Sequence, residues 1–102
     1  MVDEQQRLND LTRIISARDI FVEKGGAQGS AIDSHGRICA ATAVCSVTLD
    51  RVENHLRLMS ILNATSQELF GCLLVRTNDV LGTEAVLQVF DKTIAYLEES
   101  QG

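Results

Sequence analysis

The chain has no proline, no tryptophan, one tyrosine and three phenylalanines among its 102 residues. Without proline, no position breaks a helix by ring sterics or by a missing N–H. With so few rings, the core has to be aliphatic, drawn from Leu, Ile, Val and Ala. Basic residues are also scarce. Nine Lys and Arg stand against fourteen Asp and Glu, for a net charge of −5. Phosphate binding needs clustered cations, and these are scattered, so nucleic acid is not an expected partner. The acids form no dense rows either, which argues against a DNA mimic and fits ordinary solubility.

Long hydrophobic runs are missing too. The longest uncharged stretch, Ile38 to Leu49, is too short to span a bilayer, and the opening "MVDEQQRLND" is too polar for a secretory signal. No membrane is expected. Three cysteines, Cys39, Cys45 and Cys72, are an odd number set in apolar surroundings. They read as reduced, buried thiols of a cytoplasmic protein, not as a disulfide framework.

What is present is a high apolar share, 45%, arranged at helical spacing. The length suits one domain, taken here as a single helical domain over 1–102. Asp3 can cap a helix over 3–24, with Gln6 completing a capping box. Leu8, Leu11, Ile14, Ile15, Phe21 and Val22 fall near one stripe of it. Gly25-Gly26 is the stop, through the left-handed conformation that glycine takes without strain. The segment 38–49 mixes alanine with β-branched residues and is read as a central buried helix. Asp50 with Glu53 opens the next helix, whose stripe is Val52, Leu56, Met59 and Leu62. Thr65 with Glu68 repeats the capping pattern and starts another over 66–76. "RTNDVLGT" is a loop, and Thr83 caps a last helix with Val86, Leu87, Phe90, Ile94 and Leu97 buried. The expected fold is all-α: a compact bundle of about five short helices, with room for a small β-hairpin near 31–39.

The chemistry-bearing residues gather in two loops. "GGAQGSAIDSHGR" at 25–37 lacks the lysine of a phosphate loop and reads as a helix stop followed by a turn. Asp33 bonds forward to the backbone there, and Gly36 supplies a positive φ. Gln28, Asp33 and Arg37 from this loop, with Asn78 and Asp79 from the other, could meet at one end of a bundle. Two readings stand side by side: a cleft for a polar ligand or a peptide, and a buried network that braces the loops. His35, Cys39, Cys45, His55 and Cys72 lack the paired spacing of a zinc site, so no metal and no cofactor is expected. Cys39 near His35 and Arg37 lacks a clear thiolate-stabilising arrangement, and no catalytic set emerges. A non-enzyme is the expectation, the alternative being a small-ligand-binding or enzymatic domain with its polar site formed by the 28–37 and 78–79 loops. Leu58, Ile61, Val89 and Tyr96 lie outside the main stripes. They are read as an interface for self-association, most simply a homodimer, or for a host protein.

Three landmarks in order, "GGAQGSAIDSHGR", "ICAATAV" and "NDVLGTEAVLQVFDKTI", resemble a family of small bacterial and bacteriophage domains of unassigned function. The resemblance covers roughly 15–97 and rests on Gln28, Gly29, Asp33, Gly36, Arg37, Cys39, Asn78 and Asp79. Where the family pattern has an aromatic and a second cysteine before Gln-Gly, this chain has Gly26-Ala27. Where it has an aromatic before Asn-Asp, this chain has Thr77. The resemblance implies a helical fold and a viral origin, and no activity.

Overall fold

The computed structural model describes residues 3–99, and over them the fold is all-α. Helix α1 runs Glu4–Lys24, α2 Ala40–Ser46, α3 Val52–Phe70, and α5 Thr83–Glu99. Between the last two, a short helix α4, Leu74–Arg76, widens into a π-helical turn, Thr77–Leu81. Helix α1 packs along α5 and α2, and α3 packs along α5. The core where they meet is aliphatic: Ile14, Leu58, Leu62, Leu74, Val44, Val86 and Val89 are fully buried. It has one aromatic pair, Phe21 and Phe90, with ring centroids 6.0 Å apart. Ala17, Ala40 and Ala43 are also sealed. Their small side chains let α1 and the seven-residue α2 approach closely.

Helix α1 starts at the expected cap, with Asp3 Oδ1 accepting the Gln5 N–H at 3.2 Å, but the capping box does not form, because the Gln6 amide donates forward to Asp10 Oδ1 instead. Its end differs. Gly25 is extended, φ −73°, and is glycine because a Cβ there would lie 2.2 Å from the Phe21 carbonyl oxygen. The positive φ falls one residue later, on Gly26 at 119°. The expected hairpin is reduced to two isolated bridges, in which Ile38 pairs with Gly25 on one side and Ile32 on the other.

The largest departure is α3. It is continuous to Phe70 and stops at Gly71, which takes the left-handed cap at φ 71°. Thr65 starts no helix: its hydroxyl turns back onto the Ile61 carbonyl and accepts the Thr93 hydroxyl. Asp50 caps nothing, and its carboxylate instead takes Asn54 and Arg13. The buried face of α3 is Asn54, Leu58, Leu62, Thr65 and Ser66, while Val52 and Leu56 are more than 60% exposed. Polar side chains reach this core because they pair across it: Ser66 with Thr77 at 2.6 Å, Thr65 with Thr93 at 2.9 Å. Among the described residues no buried side-chain polar atom lacks a partner.

Two residues of the expected interface are therefore core. Leu58 and Val89 are fully buried, because the faces that carry them turn inward. Ile61 is half-buried, and Tyr96 is partly exposed with its hydroxyl donating to Glu68. Among the described residues, no single helix is long and apolar enough to cross a membrane.

Candidate functional site

The glycine corner and the Asn-Asp corner meet. Asn78, 3% exposed, is the pivot. Its amide Nδ2 donates to the Ala27 carbonyl at 2.8 Å, and its Oδ1 accepts the Ala40 N–H at 3.0 Å. That N–H opens α2, where no earlier carbonyl can reach it. One side chain thus ties the chain after α1 to the first turn of α2. The π-helical turn makes this possible. Its closing bond, Gly82 N–H to the Thr77 carbonyl, spans five residues, and Asn78 within it is turned inward. Thr77 beside it is fully buried and bonds Ser66 and the Cys72 thiol.

Asp79, the next residue, is exposed. Its Oδ1 accepts the Gly29 N–H at 2.9 Å and the Asn78 Nδ2 at 3.0 Å. Its Oδ2 has no partner among the described residues. Gln28 reaches the Asn78 carbonyl through a long bond of 3.4 Å. Gln28, Asn78 and Asp79 therefore come together, as both sequence readings require.

Asp33 and Arg37 do not join them. They form a separate clasp within their own turn. Asp33 Oδ1 accepts the His35 and Arg37 N–H groups, both at 2.9 Å, and Oδ2 takes the Arg37 guanidinium at 2.6 Å. Desolvation works against the charged carboxylate, but those backbone and guanidinium bonds outweigh it. The Asp33 carboxyl is held below the usual carboxylate range.

Beside Asp79 lies a cleft of about 230 Å³. The Gly29–Ala31 turn, Cys39, Ala41, Val75, Asn78 and Asp79 form its walls, which are mostly apolar. The Cys39 thiol is within 3.3 Å of the Thr42 hydroxyl. Val75 on its wall, and Ile32, Leu73, Val80 and Leu81, each within two residues of a lining residue in the chain, are between 49% and 63% exposed. No sequence stripe marks these residues, since they belong to turns too short to show periodicity.

The thiols are less buried than the sequence implies. Cys39 and Cys72 are half-buried and Cys45 is exposed. Cys45 projects from the short α2 with its sulfur 3.7 Å from His55 Nδ1, and the same nitrogen lies 3.4 Å from the Thr48 hydroxyl. This contact was not visible in the sequence, where the two residues fall on separate segments. Among the described residues, no group of three or more His, Cys, Asp or Glu side chains is placed to hold a metal ion. No protein-family model, curated protein or solved structure matches the chain.

Proposed function

We propose that this is a non-enzymatic cytoplasmic docking domain that grips a basic segment of a partner protein at the cleft beside Asp79. One observation carries the reading: an apolar slot with a single carboxylate oxygen left over at its wall. Its volume lies below the roughly 300–1,000 Å³ of small-molecule sites, so it suits one long side chain better than a metabolite. A lysine or arginine fits that chemistry, with its aliphatic stem against Val75, Ala31 and Ala41 and its cationic head on Asp79. Exposed aliphatics next to lining residues in the chain, such as Ile32 after Ala31 and Val80 after Asp79, would extend the contact. A net charge of −5 steers a basic partner toward it. The motif order that resembles bacteriophage domains fits an accessory protein acting on a host protein.

Selection of random phage-displayed peptides against the immobilised protein tests this. Sequences carrying Lys or Arg beside aliphatic residues should be enriched. Asp79→Asn and Val75→Glu should each abolish the enrichment while leaving the helical circular dichroism unchanged. Enrichment of acidic peptides, no enrichment at all, or enrichment indifferent to both substitutions defeats the proposal.

A further inference from the structure

A carboxylate discriminates between lysine and arginine by how many of its oxygens are free. A guanidinium binds best as a fork, with two parallel N–H groups on the two oxygens of one carboxylate. An ammonium is a compact point charge and needs a single acceptor. At the cleft of about 230 Å³ the two oxygens of Asp79 are not equivalent. Oδ1 accepts the Gly29 N–H at 2.9 Å and the Asn78 Nδ2 at 3.0 Å, which uses both of its lone pairs. Gly29 and Asn78 are themselves part of the wall. Asn78 is fixed by its bonds to Ala27 and Ala40, so Oδ1 stays turned onto the protein. Only Oδ2 is left over, and one oxygen does not complete a fork.

The other strengths of arginine have no counterpart here either. Its guanidinium stacks on aromatic faces, and among the described residues no aromatic side chain lines the cleft. It gives up water more readily than an ammonium does, but Asp79 is exposed, so a head on Oδ2 stays hydrated. The stem favours lysine as well. It has four methylenes where arginine has three, and Ala31, Ala41 and Val75 give them an apolar wall.

We infer that the anchor this cleft takes from a partner is a lysine with an unmodified ε-ammonium, in preference to arginine. The inference rests on the docking reading above and goes further, because a site that asked only for positive charge would accept either residue. It also makes docking sensitive to modification of the partner. Acetylation removes the charge. Trimethylation keeps the charge but leaves no N–H for Oδ2, and the cleft has no aromatic cage to hold a quaternary ammonium. Both modifications release the partner.

A peptide from the phage selection is synthesised with lysine, arginine, trimethyl-lysine or acetyl-lysine at its basic anchor, and each form is titrated against the protein by fluorescence anisotropy. The lysine form should bind about tenfold tighter than the arginine form, the scale on which one methylene is felt in an apolar pocket. The trimethyl-lysine form should bind no better than the arginine form, and the acetyl-lysine form should not bind. Asp79→Glu tests the cause. The longer side chain carries its carboxylate past Gly29 and Asn78 and frees both oxygens, so the ratio of lysine to arginine affinity should fall toward one while lysine still binds. Arginine equal to lysine on the parent protein, or trimethyl-lysine tighter than lysine, overturns the inference and leaves the docking reading in place. So does an Asp79→Glu protein that keeps the parent's ratio. A selection that yields no basic peptide defeats the docking reading, and the inference with it.

Discussion

Asn78 and Asp79 are neighbours in the chain and opposites in the fold. Asn78 is sealed, and both ends of its amide are spent on backbone groups from two other segments. Asp79 faces outward, and both of its bonds fall on one oxygen. The difference separates what holds the junction from what the junction presents. A side chain whose every polar atom is matched has nothing to offer a ligand. One with an oxygen to spare beside an apolar wall has. The hydrogen bonds that tie the loops gather at Asn78, and the proposed docking site rests on its neighbour Asp79.

The largest effect should come from the sealed side. Asn78→Ala strands the Ala40 N–H and the Ala27 carbonyl in a buried place. Orphaned groups of this kind cost about 1–3 kcal/mol each, so a loss of about 2–6 kcal/mol is expected for the two. That is a large share of the roughly 5–15 kcal/mol by which domains are stable. Urea unfolding should show a lower midpoint at an unchanged slope. Asn78→Asp sharpens the point, because it keeps the shape but sets a carboxylate oxygen against the Ala27 carbonyl. It should be no milder than Asn78→Ala. Either variant melting like the parent would mean that the junction is held elsewhere.

The Asp33 clasp gives an intermediate effect, tunable by pH. Its carboxyl titrates lower in the folded chain than in the unfolded one. Its contribution is therefore complete above the ordinary carboxylate range and is lost as pH falls through the lowered folded value. The protection factors of the His35 and Arg37 amides, taken against free-peptide exchange at each pH, should fall on acidification below the ordinary carboxylate range, while Ala40, held by Asn78, stays protected until the whole domain unfolds. Asp33→Asn should show the lowered protection already at neutral pH. Parallel loss of protection at Arg37 and Ala40 would make the clasp and the brace a single unit.

How much of this was legible in the sequence follows from the range of the signals. Local chemistry could be read: the Asp3 cap, the Asp33-to-Arg37 turn and the glycine stop, although Gly25 serves close approach to Phe21 and not a left-handed φ. The break in α3 misled because Thr65 and Glu68 match a capping pattern, yet a threonine inside a helix can bond its own preceding turn. The buried face of α3 was missed for a related reason. Asn54, Thr65 and Ser66 are polar, and their partners Arg57, Thr93 and Thr77 sit on other turns or other elements. A hydropathy pattern therefore favours Val52 and Leu56, which face water. Helix α1 was read as one broad stripe, although Ile14 and Phe21 point inward while Leu8, Ile15 and Val22 do not. Which half faces the core is decided by α5, and no local pattern contains that information. The π-helical turn read as a loop because its Asn-Asp pair is turn chemistry.

The smallest change in stability is expected at Asp79→Asn, and that smallness is the test. An asparagine there can keep its oxygen on the Gly29 N–H and the Asn78 amide, so only the charge and the spare oxygen are lost. At an exposed site such a change stays within about 0.5 kcal/mol. Gln28→Ala should be similarly mild, since its bond to the Asn78 carbonyl is long and partly solvated. Urea midpoints for both should overlie the parent, in contrast to Asn78→Ala one position away. The same Asp79→Asn protein should nonetheless lose the preference for lysine- and arginine-bearing peptides, because the apolar wall remains while the carboxylate that lines the cleft among the described residues is gone. Stability lost on the scale of Asn78→Ala would place Asp79 inside the brace. The cleft would then have no carboxylate to spare for a cation, and the division between the two neighbours would collapse into one structural knot.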